Sequence, residues 1–61
     1  MFLLYVPASN TRPQESHQFE SVRECVELGD NIAEDRIYSV VRIRDSRLML
    51  LSNLSGKQRY F

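Results

Sequence analysis

Ile37-Tyr38-Ser39-Val40-Val41-Arg42-Ile43-Arg44 and, after Asp45-Ser46, Arg47-Leu48-Met49-Leu50-Leu51-Ser52-Asn53 form the stretch that decides this fold. Both arms are dense in β-branched and large aliphatic residues around a polar dipeptide, so 37–44 and 47–53 read as a β-hairpin. With a two-residue turn at Asp45-Ser46, one face carries Ile43/Leu48, Val41/Leu50 and Ser39/Ser52. The other carries Arg42/Met49, Val40/Leu51 and Tyr38/Asn53. The first reads as a core face. The second is half apolar and half polar, and the expectation is that it faces a partner.

Register is open at this point. Asp-Ser is a mediocre two-residue turn, and it sets Arg44 opposite Arg47, a destabilising like-charge pair. A three-residue loop pairs Ile43 with Met49 and Val41 with Leu51 instead. Because side chains alternate, that slip exchanges the faces of the third strand.

Working outward from the hairpin, Phe2-Leu3-Leu4-Tyr5-Val6 is a continuous apolar run and reads as a buried strand over 2–6. Residues 7–16 hold Pro7, Pro13 and several turn formers and read as a loop. A helix is expected over about 16–28, extending to 34 if Gly29 is not its end. At 100° per residue, Phe19, Val22, Cys25, Val26, Gly29, Ile32 and Ala33 fall within one arc of about 140°. The tail 54–61 is basic and aromatic-ended and is expected to fray or to dock on a partner. The reading is thus an α+β fold in one β-α-β-β domain. Its three-stranded sheet has strand order 1-3-2 in preference to 1-2-3, and one amphipathic helix covers one face.

Size sharpens the expectation of a partner. Sixty-one residues bury little surface. Chains this short commonly lean on a disulfide, a metal or oligomerisation. Cys25 is the sole cysteine and His17 the sole histidine, so neither a disulfide nor a Cys/His metal site is expected. No cofactor motif is present. Oligomerisation remains, and a homodimer is the expected state. The cysteine-poor composition and the lack of a long apolar run point to a soluble, cytoplasmic protein. The length also resembles that of accessory or inhibitor proteins of phages and mobile elements, a likeness of size only.

Net charge is zero, yet its layout is lopsided. Residues 15–35 carry seven carboxylates against Arg23, a net of −6, whereas 36–61 carry six cations against Asp45, a net of +5. Glu20, Glu24, Glu27 and Asp30 on the outer helix face could meet a basic partner, although such a face is more often simply solvated. Arg42, Arg44, Arg47, Lys57 and Arg59, with aromatic residues nearby, offer phosphate contacts and stacking surfaces for nucleic acid. An edge strand kept soluble by arginines would look the same.

Catalysis finds no support in the residues. Cys25 and His17 lie eight positions apart and about 80° apart around the expected helix, too far for a nucleophile–base pair, and Cys25 reads as a small core residue. Ser55-Gly56-Lys57 lacks the first glycine of a phosphate loop. Asn53-Leu54-Ser55 matches a glycosylation sequon that a cytoplasmic chain would not use. The leading expectation is a non-enzymatic interaction module, a homodimer that binds or inhibits another protein through Tyr38, Val40, Arg42, Met49 and Leu51, with Tyr60 and Phe61 beside them. The alternative is a small nucleic-acid-binding protein built on the basic hairpin.

Overall fold

The computed structural model describes residues 1–52 and 57–61. In chain order the elements are β1 (Phe2–Val6), β2 (Glu15–Phe19), α1 (Val22–Ile32), β3 (Tyr38–Arg42), β4 (Arg47–Ser52) and β5 (Gln58–Tyr60). The architecture is small α+β, one helix on an antiparallel sheet. That sheet has five strands rather than three, in the spatial order β2-β1-β3-β4-β5.

The extra strand at 15–19 changes everything that follows it. Residues Glu15-Ser16-His17-Gln18-Phe19 turn back along β1, pairing Phe2 with Phe19 and Val6 with Glu15. The chain therefore enters α1 from the end of the sheet where β1 begins, and the helix delivers β3 antiparallel to β1 (Leu4 opposite Val40). β2 and β3 run parallel to each other with β1 between them. With both sides of β1 taken, β4 can only pair outside β3. The expected parallel pairing and the 1-3-2 order are both overturned by this one reversal.

The helix starts later than its sequence suggests. Ser21, extended at φ −136° and ψ 154°, is the N-cap. Its Oγ accepts from the Glu24 backbone N–H at 3.3 Å, and the Glu24 carboxylate accepts from the Glu20 N–H at 3.2 Å. This is a capping-box arrangement displaced by one residue on its return arm. Beyond Ser21 the helix runs through Gly29 without a break to Ile32. It ends at Ala33, and Glu34 adopts the left-handed φ of 56° that usually falls to glycine after a helix. The last carbonyls are satisfied by a side chain from downstream. Arg36 donates from Nη2 to the Ile32 carbonyl at 2.6 Å and from Nε to the Ala33 carbonyl at 3.2 Å.

α1 lies across β2, β1 and β3. Leu4, Val6, Cys25, Ala33, Tyr38, Val40 and Leu50 are buried between helix and sheet, with Phe2, Phe19, Val22, Val26, Leu28, Ile32 and Met49 packed around them. Leu28, off the apolar arc in the sequence, still reaches this core.

The hairpin register differs from both readings made from the sequence. Residues 43–46 form a four-residue loop with Ser46 at φ 56°, closed by Arg42 opposite Arg47. Between Val40 and Val41 the partner jumps from Leu50 to Leu48, leaving Met49 as an extra residue in β4. Such a bulge reverses the alternation for the rest of the strand. Tyr38/Ser52 and Val40/Leu50 face the helix, while Ser39/Leu51 and Val41/Leu48 face away. The tail does not fray over 58–60, because β5 pairs with β4 (Leu51 opposite Arg59). The expected end of the third strand at Asn53, the sequon at 53–55 and most of the Ser55-Gly56-Lys57 motif lie outside the described residues.

Candidate functional site

One helix can roof one side of the sheet, and among the described residues no element forms a layer on the other side. Register places on that side Ser16 and Gln18 from β2, Leu3 and Tyr5 from β1, and Ser39 and Val41 from β3. Leu48 and Leu51 from β4 and Arg59 from β5 complete it. Leu3, Tyr5, Val41 and Leu48 are half-buried by their neighbours, and Leu51 is 36% exposed. Phe61 joins them two residues beyond Arg59. Its N–H donates to the Met49 carbonyl at 3.0 Å, and the Arg59 guanidinium sits 5.5 Å from the centre of its ring. Ile37 and Ile43, 40% and 42% exposed, flank the two ends of β3. Arg59 is the single charge among these described residues.

The side chains expected to form an interface divide between the two sides of the sheet. Tyr38 and Val40 are not on the outer face but buried under the helix, because β3 turns that side toward α1, with Val40 opposite the buried Leu4 of β1. Met49 is the bulge residue and packs against the core. Tyr60 pairs with Leu50 and so points to the helix side, 64% exposed. Leu51 and Phe61 lie where an open-face contact requires. Leu3, Tyr5, Val41 and Leu48, the heart of that face, were not singled out by the sequence. Leu3 and Tyr5 were hidden by the unread β2, which makes β1 an interior strand, and Val41 and Leu48 by the side of the hairpin that faces the helix and by the bulge at Met49.

Tyr38 has a structural task. Its hydroxyl donates to the Asp30 carboxylate at 2.6 Å and accepts from Gln58 Nε2 at 3.2 Å, tying α1, β3 and β5 together. Burial, with the Asp30 hydrogen bond and charge, pushes its ionisation up to about 12.

The basic residues also separate. Arg42 is half-buried and chelates Asp45 through Nε at 3.0 Å and Nη2 at 2.6 Å. The hydrogen bond from Arg42 holds the Asp45 carboxyl down at about 2. Asp45 thereby relieves the Arg42/Arg47 cross-strand pair. Arg44, Arg47, Lys57 and Arg59 are exposed. Of the acidic residues expected on the helix, Glu20 instead precedes the N-cap and is exposed, Glu24 and Asp30 are engaged in the cap and with Tyr38, and Glu27 pairs with Arg23 at 3.7 Å.

Arg36 is buried against Glu15, at 3.3 Å, and its Nη1 donates to the carbonyls of Pro7 at 3.2 Å and Pro13 at 3.1 Å. Burial pushes Glu15 up, but the hydrogen bonds and charges of Arg36 and His17 outweigh it and hold the carboxyl below its ordinary value. His17 lies in β2, not on the helix, and its Nε2 is 3.5 Å from Glu15 Oε1. Cys25 is a buried core thiol whose ionisation is pushed up by burial and by the charge of Glu24. The described residues contain no group of His, Cys, Asp and Glu arranged to hold a metal ion, and no helix long and apolar enough to cross a membrane. The chain matches no protein-family model, and neither a curated protein nor a solved structure is significantly similar to it.

Proposed function

We propose that this chain is a non-enzymatic interaction module that works by laying the open face of its sheet against a flat, uncharged, apolar protein surface. The observation that carries this reading is the gathering of Leu3, Tyr5, Val41, Leu48, Leu51 and Phe61 on the side of the sheet that, among the described residues, no element covers. A sheet with apolar residues on both faces is stable in water when both are covered. Contiguous exposed apolar patches mark association sites. The polar margin of Ser16 and Gln18 on one side and Arg59 on the other matches the rim of such a site.

Light scattering and circular dichroism on single variants test it. Leu51→Glu and Leu48→Glu are expected to keep the helical spectrum while abolishing every complex the chain forms, with itself or with a protein of its host lysate. Leu4→Glu, in the core, is expected to unfold the chain. A complex that survives both open-face variants would overturn the reading.

A further inference from the structure

We infer that the surface covering the open face is a second copy of this chain, stacked sheet on sheet with its ends reversed. This rests on the open face being the docking surface, and three observations select the occupant and its orientation.

The first is self-compatibility. Leu3, Tyr5, Ser16, Gln18, Ser39, Val41, Leu48 and Leu51 carry no charge, so a two-fold arrangement brings no like-charged pair together at the centre of the seam. The one charge on this side, Arg59, stands at the β5 edge over the ring of Phe61. A face of this kind offers nothing to select a basic or acidic partner and nothing to repel its own copy.

The second is size. The two longer dimensions of the molecule, 31 and 21 Å between Cα atoms, outline a face of about 650 Å² before rim side chains are added. Standard interfaces use about 800 Å² of accessible surface from each partner. A patch of that size takes most of the face, and a copy of identical outline covers it from edge to edge. Aligned sheets packing about 10 Å apart supply that geometry.

The third observation fixes the orientation. The β3–β4 tip holds Arg42, Arg44 and Arg47 against Asp45, a net of +2. The opposite end of the molecule holds Glu15, Asp30, Glu34 and Asp35 against Arg12, Arg36 and Lys57, a net of −1. β3 is the middle strand, so the tip lies near the mid-line of the sheet. A two-fold axis along the strands would set the two arginine tips over one another, about one sheet spacing apart. An axis across the strands sets each tip beside the 34–35 corner of the other copy. The second arrangement removes the repulsion and replaces it with attraction.

Cross-linking across the seam tests the orientation. Ile43→Cys marks the tip end and Ile37→Cys the opposite end, both at exposed positions, while Cys25 is buried and stays out of the reaction. On mild oxidation, a mixture of the two variants is expected to give the mixed disulfide dimer, and Ile43→Cys alone is expected to stay uncoupled. Charge reversal is the second measurement. Arg44→Glu or Asp35→Lys is expected to raise the dimer dissociation constant about tenfold, and the two together to restore it.

A dimer that couples through Ile43→Cys to itself, or that ignores both charge reversals, overturns the inference and leaves the open-face reading standing. So does a chain that stays monomeric up to about 100 μM but forms a Leu51-dependent complex with another protein. Complexes that survive Leu51→Glu overturn both.

Discussion

The ring of Tyr38 occupies the space that a side chain on Gly29 would need: a Cβ there would lie 2.7 Å from Cε1 and 2.9 Å from both Cδ1 and Cζ. The glycine sits mid-helix, where it costs about 1 kcal/mol relative to alanine. It is there because the helix must approach β3 closely enough for the Tyr38 hydroxyl to reach Asp30.

Gly29→Ala is therefore expected to destabilise the chain, although alanine is the better helix former. Overpacking against a ring fixed at its far end by two hydrogen bonds costs about 1–3 kcal/mol, more than the propensity gained. Urea denaturation should show the midpoint falling. In a Tyr38→Leu background, where the ring is absent, the same substitution should be neutral or stabilising.

Arg36 holds four backbone carbonyls and the Glu15 carboxylate from a nearly buried position. Arg36→Met leaves those acceptors without a donor and should cost about 3–5 kcal/mol, enough to unfold much of a domain this small. Arg36→Lys should recover only part of that, because an ammonium cannot reproduce the fork of a guanidinium. Denaturation midpoints of the two variants against the parent chain provide the measurement.

Alkaline pH should unfold the protein through Tyr38. Its ionisation is raised from 10 to about 12, so the folded state favours the neutral phenol. The stabilisation is whole below pH 10 and is lost as the pH climbs through about 12. Tyr38→Phe removes this dependence and lowers stability at neutral pH by about 1–2 kcal/mol, the loss of hydrogen bonds to Asp30 and Gln58. The slope of unfolding free energy between pH 10 and 12 should flatten in that variant.

Oligonucleotide binding is expected to be weak and to vanish by about 200 mM salt. Arg42 is already neutralised by Asp45, and Tyr38 is buried and offers no stacking surface. A fluorescence titration with a single-stranded oligonucleotide decides the matter. Retention at that salt, lost on Arg44→Ala or Arg47→Ala, would revive the basic hairpin as a nucleic-acid site.

β1, most of α1 and both hairpin strands could be read from the chain because their side chains announce them. The apolar run 2–6 and the helical stripe through Cys25, Val26 and Ile32 do not depend on what surrounds them. β2 could not be read in this way. Glu15-Ser16-His17-Gln18 has little strand preference of its own, Ser16 looks like a helix cap, and Phe19 extends the helical stripe. It is a strand because β1 has an unpaired edge for it. Gly29 misled for a related reason. A glycine that serves a tertiary contact looks like one that ends a helix, whereas the true end falls at Ala33, followed by a left-handed Glu34 that carries no such signal. The candidate site suffered most. The pairing of β3 with β1 decides which side of β3 faces the helix, and one bulge at Met49 with a four-residue loop decides which β4 residues share that side; none of these follows from the pattern of apolar residues.

The grip of Arg36 on Pro7 and Pro13 bears on how this molecule could be re-engineered. Both ends of the excursion from β1 to β2 are pinned to the same guanidinium, so its middle leaves and returns at a fixed point whatever its length. Thr11, exposed at the far side of that excursion, is thus a natural port for grafting foreign sequence. An insertion there would be displayed at the end of the sheet away from the hairpin tip.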